Sequence, residues 1–165
     1  MPSEIPQLPR VASPVESTVR RAGPMPAPHP QPTRSGLRPL RILIADDHAM
    51  FRDGLVGLIT QDAGMQVVGE AADGVEAVEL ARELQPDVLI VDISMPRMNG
   101  LQVTGVLSRE MPQLKIVGLS MHERQDIARA MRAAGAAVYL TKSAPWEDLL
   151  AVLRQLTPGE PRAAQ

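Results

Sequence analysis

From residue 41 onward, short apolar runs alternate with longer amphipathic stretches. Arg41 to Ala45, Met65 to Ala71, Val88 to Asp92, Lys115 to Ser120 and Ala136 to Thr141 have strand length and a strand-like composition. Between and after them, apolar residues recur at helical spacing: Phe51, Leu55, Leu58, Ile59; Ala77, Leu80, Ala81, Leu84; Val103, Val106, Leu107, Met111; Ile127, Ala130, Met131, Ala134; and Leu149, Val152, Leu153, Leu156. Asp73 with Glu76 predicts a capping-box-like start for the second helix. Pro86 and Pro112 stop the second and third helices, because the residue before a proline is pushed out of the helical region. Gly64, Gly74 and Gly100 read as turns.

Strands joined by helical crossovers predict a parallel sheet with helices on both faces. The third and fourth strands are nearly unbroken apolar runs, as burial on both faces requires. Met65 to Glu70 alternates, which suits an edge.

The chemistry collects at the strand ends. Asp46-Asp47 closes the first run and Asp92 the third, just before Ser94-Met95-Pro96-Arg97-Met98-Asn99-Gly100. The fourth run ends in Ser120, and Lys142 follows the fifth. If the first and third strands are neighbours, the acids meet at one edge of the sheet. At ~4 Å and an effective dielectric near 20, each carboxylate pair repels by about 4 kcal/mol, so the cluster asks for a divalent cation. The plainer reading is that these acids cap helices; for Asp47, at the start of the first helix, capping and metal binding can both hold.

In this order, the acid pair, lone Asp, Met-Pro-x-Met-x-Gly, hydroxyl, aromatic and lysine resemble the receiver domain of bacterial two-component response regulators, from about Arg41 to Leu156. Asp46-Asp47-His48-x-x-Phe51-Arg52-x-Gly54-Leu55 is similar to the NarL/FixJ branch, whose members usually carry a C-terminal helix-turn-helix. The resemblance implies an α/β, flavodoxin-like, doubly wound five-stranded sheet in order 2-1-3-4-5. Ligands bind such sheets where the strand order reverses, beyond the carboxyl ends of the strands.

The same resemblance implies that Asp92 is the phosphoacceptor. Mg²⁺ is then bound by Asp46, Asp47, Asp92 and the Ser94 main-chain carbonyl, with Asp47 the more direct of the acid pair. Lys142 pairs with Asp92 before reaction and with a phosphoryl oxygen after it, and Ser120 donates its hydroxyl to the same group. These two act with Asp92 in its self-phosphorylation and self-dephosphorylation, and Tyr139 turns inward when Ser120 moves. Taken singly, Lys142 could be a solvated loop lysine, Ser120 ordinary loop chemistry and Tyr139 plain packing. Lys142 is, however, one of only two lysines in the chain. His48 and His122 read as structural, since neither has a transition-metal spacing. Ser143 follows Lys142 where many receivers have a cis proline.

Composition divides the chain. Ten of the sixteen prolines fall in residues 1–39, where five Arg against two Glu leave +3, while residues 40–165 carry −5. Residues 1–39 are therefore expected to be a disordered, Pro-rich basic tail, residues 40–157 the receiver domain, and 158–165 a disordered C-terminal tail. An acidic globule is a poor unaided nucleic-acid binder, so no DNA binding is expected from this chain alone. Zero cysteines, no signal-peptide pattern and no long apolar span point to a cytoplasmic location away from the membrane. Expected partners are a sensor histidine kinase and a downstream protein or second copy, engaged through the fourth helix, fifth strand and fifth helix around Arg124, Arg129 and Trp146. A DNA-binding regulator lacking its output domain is the alternative, since only nine residues follow Leu156. A true phosphatase would need Asp-x-Asp on the first strand, where this chain has adjacent acids.

Overall fold

A computed structural model describes residues 38–156. The expectations for the two tails lie outside them, apart from Arg38 and Pro39. The elements run β1 (Leu40–Ala45), α1 (Ala49–Ile59), β2 (Met65–Ala71), α2 (Gly74–Leu84), β3 (Val88–Asp92), α3 (Gly100–Glu110), β4 (Lys115–Ser120), α4 (Gln125–Ala134), β5 (Val138–Thr141) and α5 (Trp146–Gln155). All strand pairs are parallel, in the order β2-β1-β3-β4-β5. The fold is therefore the parallel sheet expected from the pattern, in the doubly wound strand order that the resemblance implied.

Strand parity sorts the core into two layers, since successive side chains point to opposite faces. Leu43, Ala45, Leu89, Val91 and Ile116 pack beneath α2, α3 and α4, meeting Ala77, Ala81, Val103, Leu107 and Met131. Leu40, Ile42, Ile44, Val88, Ile90, Val117 and Leu119 face the other way, onto Leu55 and Ile59 of α1 and Leu149 and Leu153 of α5. β3 is buried at every residue, and β2 is partly exposed along its middle, as an edge strand should be.

Local chemistry differs from the pattern in three places. β5 starts at Val138 instead of Ala136, because Gly135 takes φ +113° and the Ala136 N–H turns back to the Met131 carbonyl at 2.9 Å, closing α4. Asp73 caps α2 by accepting from the Val75 and Glu76 N–H groups, but Glu76 reaches back to the Ala72 N–H instead of to Asp73. The reciprocal capping box lies at Asn99 and Gln102, opening α3. Gly74 and Gly100 are not turns: they are the first helical residues, and a Cβ there would sit 1.9 Å from the Met98 carbonyl oxygen and 2.3 Å from that of Asp92. Both glycines thus press helix starts against the loop after β3.

At the amino end of the sheet, the Arg38 guanidinium makes two 2.7 Å hydrogen bonds to Asp87. Partial burial works to raise the Asp87 pKa, but hydrogen bonds from Arg38 and the Arg41 N–H hold it below the usual carboxylate value.

Candidate functional site at the carboxyl edge of the sheet

The carboxyl ends of β1 and β3 lie side by side, because these strands pair through Ala45 and Val91. Asp46 and Asp47 follow the first and Asp92 ends the second. One ligand atom from each of Asp46, Asp47, His48 and Asp92 can be chosen so that all four lie within 4.8 Å of one another. Asp46 and Asp92 are each 1% exposed, and Asp47 is about one-third exposed. Asp46 Oδ1 accepts from the His48 N–H at 2.9 Å, and Asp92 Oδ1 accepts a longer bond from the Ser94 N–H at 3.3 Å. Helix α1 has no side-chain cap, so the capping role expected of Asp47 is not observed; its Oδ1 lies 2.9 Å from His48 Nδ1 instead.

Lys142, just past β5, brings its ammonium to 2.6 Å from Asp46 Oδ2 and 3.1 Å from Asp92 Oδ2. The expected pairing with Asp92 is present, together with a closer contact to Asp46. Among the described residues, both Oδ2 atoms and the Lys142 Nζ are buried without an aligned hydrogen bond, so charge attraction is the contact between them. One ammonium against three carboxylates leaves the cluster net negative. Buried charge in that imbalance is costly, and a divalent cation bound to the oxygens would offset it. The donor set of carboxylates at the end of a buried sheet fits Mg²⁺ in this respect.

Ser120, 5% exposed at the end of β4, accepts from the His122 N–H through Oγ at 3.2 Å, while its carbonyl accepts from the Lys142 N–H at 2.7 Å. The β4–β5 pair therefore carries the hydroxyl and the ammonium together. Tyr139 is half-buried and donates from its hydroxyl to the His122 carbonyl at 3.0 Å, tying β5 to the loop after Ser120. Ser94 sits exposed in the loop after β3.

Three neighbours carry weight that the sequence reading did not give them. Phe51 places its ring 4.5 Å below the Lys142 Nζ, a cation–π contact, and packs against Trp146 with ring centroids 5.4 Å apart and planes tilted by 36°. Arg52 donates to the Asp46 carbonyl at 2.6 Å and to Glu70 at 3.1 Å, which fixes the acid-pair turn. His48, read as structural, belongs to the acid cluster. The Phe51-Arg52 pair was visible as part of a motif, but helical spacing made Phe51 a core candidate and gave Arg52 no partner.

A cluster of three acids with a lysine and a hydroxyl, at the reversal point of a five-stranded parallel sheet, defines the class. Residues 42–154 match the response regulator receiver domain family, and the chain belongs to it. It is 37% identical over 121 residues to the response regulator GacA of Pseudomonas aeruginosa, covering 73% of this chain and 56% of that protein. It is 41% identical over 128 residues to the nitrate/nitrite response regulator protein NarL of Escherichia coli K12, covering 76% and 58%. The signal receiver domain of the putative response regulator NarL from Mycobacterium tuberculosis superposes with a TM-score of 0.68 at 33% identity, covering 72% of this chain and 97% of that one. The chain spans a little over half the length of the curated relatives it matches. Receiver domains are generally signalling modules of two-component systems rather than enzymes. Among the described residues, no helix is long and apolar enough to cross a membrane.

Proposed function

We propose that this chain is a phosphorylatable receiver that takes a phosphoryl group from the phosphohistidine of a sensor histidine kinase onto Asp92. An Asp92 oxygen attacks phosphorus, the O–P bond forms, the N–P bond breaks, and the imidazole leaves with the electron pair and takes up a proton. The observation that carries this reading is the buried pairing of Asp92 with Lys142 inside a cluster that is net negative. Asp46, Asp47, Asp92 and the Ser94 main-chain carbonyl would hold Mg²⁺. When bound, the ion supplies neutralisation of the charge that builds on the transferring group. Lys142 then exchanges its carboxylate contact for a phosphoryl oxygen, a move that suits a compact ammonium on a flexible stem. The Ser120 hydroxyl, released from the His122 N–H, donates to another. Reversal with water as nucleophile returns free Asp92 and inorganic phosphate, assisted by the same donors.

Output in this reading runs through α4, β5 and α5 to a protein partner or a second copy. A groove of about 490 Å³ lies there, lined by Glu123, Arg124, Gln125, Arg132 and Tyr139 among others. The Tyr139 hydroxyl bond to the His122 carbonyl ties it to the loop that Ser120 would pull. A second reading, the receiver part of a DNA-binding regulator of the NarL/FixJ type, is favoured by one observation: the matched relatives are longer than this chain. The reading frame beyond residue 165 and a gel shift at physiological salt separate the two.

The decisive experiment uses acetyl phosphate and Mg²⁺ with intact-mass detection. One acid-stable, base-labile phosphate is expected, absent in Asp92→Asn and in Asp47→Ala, and reduced in Asp46→Ala. Equal labelling of Asp92→Asn would sink the assignment.

A further inference from the structure

The geometry points to Phe51 as a positioning residue for Lys142, one that keeps the ammonium at the cleft while it exchanges an Asp92 oxygen for a phosphoryl oxygen. This inference rests on the phosphoacceptor reading of Asp92 and adds to it the group that guides the lysine. The Lys142 side chain is 2% exposed, and its Nζ meets Asp46 Oδ2 at 2.6 Å, Asp92 Oδ2 at 3.1 Å and the Phe51 ring at 4.5 Å from the centroid. The cavity lined by Phe51, Lys142, Trp146 and their neighbours measures only about 10 Å³, room for no more than one water. On that side the ring face, not solvent, meets the charge.

The ring is itself held. Phe51 sits in the first turn of α1, and Trp146, the first residue of α5, packs against it. The next residue, Arg52, donates to the Asp46 carbonyl at 2.6 Å, which fastens the start of α1 to the end of β1. Lys142 arrives from another element, just past β5. An ammonium has three N–H donors, and phosphotransfer requires it to release one carboxylate and take up a phosphoryl oxygen. A further carboxylate or carbonyl would tie one N–H in a fixed direction. The π face attracts the charge without claiming any particular N–H, so the group can turn while it stays in place. An aliphatic side chain there would cover the ammonium without attracting it.

Phe51 is the only phenylalanine in the chain, so growth on fluorinated phenylalanine alters this ring alone, and each added fluorine drains its negative face with little change of shape. The test measures the rate of Asp92 labelling by acetyl phosphate at saturating Mg²⁺ in the full chain carrying normal, monofluoro- or trifluorophenylalanine, with Phe51→Leu and Phe51→Tyr beside them. The rate should fall stepwise with fluorination and by about two- to tenfold in Phe51→Leu, while Phe51→Tyr, which keeps the ring face, stays near the wild type. Melting curves check that each form is folded. A rate indifferent to fluorination, or lost equally in Phe51→Tyr and Phe51→Leu, overturns the inference. A second readout needs no phosphate. Lys115 is the only other lysine, so lysine-selective labelling gives two side-chain NMR signals, and the Phe51 ring current should displace that of Lys142. The displacement should vanish in Phe51→Leu and persist with beryllofluoride, which stands in for the phosphoryl group. Its absence from the wild type, or its loss on adding beryllofluoride, overturns the inference. A labelled chain indifferent to fluorination removes this inference alone. A ring-displaced lysine in a chain that acetyl phosphate never labels removes the phosphoacceptor reading, and this inference with it.

Discussion

Helices α2 and α3 are tied into the molecule far more firmly than α4. Each of the first two buries four residues, starts with a side-chain cap and carries one partner of the Arg82–Glu110 double hydrogen bond. Helix α4 buries only Met131, begins at Arg124 without a side-chain cap, and packs beside β5, which is half-buried at all four residues. Both regions flank the same site. The loop after β3 is clamped against α2 by Gly74 and by the Arg97–Asp73 ion pair, and Arg97 holds a left-handed φ of 64° there. The loop after β4 is held at His122, whose N–H donates to Ser120 Oγ and whose carbonyl accepts from the Tyr139 hydroxyl. Few buried contacts make a segment cheap to move. A phosphoryl group on Asp92 would thus find a rigid wall on one side and a yielding one on the other.

Removing the anchor should produce the largest effect. Met131→Ala is expected to cost about 2–5 kcal/mol, the range for emptying a fully buried site, and urea melts would measure it. A cost below ~1 kcal/mol would show that α4 is held by something other than Met131. The caps sharpen the contrast: Asn99→Ala should cost ~1 kcal/mol, since it breaks a reciprocal box, whereas Arg124→Ala should stay within about 0.5 kcal/mol. Equal losses in the same melts would erase the distinction between the two walls.

A subtler expectation concerns the response to beryllofluoride, a mimic of the aspartyl phosphate. NMR shifts should change across residues 123–156 and little across α2 and α3, and Tyr139→Ala should shrink that response while leaving Asp92 labelling intact. The ligand can move the α4–β5 population only as far as it prefers one arrangement. Changes confined to residues 74–111 would reverse the comparison.

The smallest effect belongs to the far end of the sheet. The Asp87 pKa lies below its ordinary value, so its contribution to stability is complete above the unfolded pKa, about 4, and is lost as pH falls through the lower folded value. Arg38→Ala should therefore lower the melting temperature modestly near neutral pH, with the gap to the wild type closing below pH ~4. A gap that widened in acid would remove this pair as the cause.

Most of the fold could be read in advance, because strand and helix periods are local properties of the chain. The runs ending in Asp46, Asp92, Ser120 and near Lys142 put the acids, the hydroxyl and the lysine of the proposed site at one kind of position, the carboxyl end of a strand. Where the reading slipped, the missing information was a contact distant in sequence. Gly74 and Gly100 looked like turns because nothing local reveals that the loop after β3 lies within 3 Å of where their Cβ atoms would be. Helical spacing marked Phe51 as core, but only the approach of Lys142 from β5 makes it a cation–π partner.

The sequence by itself determined the five-fold alternation of strand and helix, the burial of β3 and β4, the exposed edge at β2 and the identity of the acids, hydroxyl and lysine. Tertiary structure alone decided that Lys142 sits closer to Asp46 than to Asp92, that Arg52 fixes the acid-pair turn, and that His48 faces the acids instead of capping α1. The reason is physical: hydrophobic period is written along the chain, whereas a charge takes its partner from whichever strand end the sheet order delivers beside it.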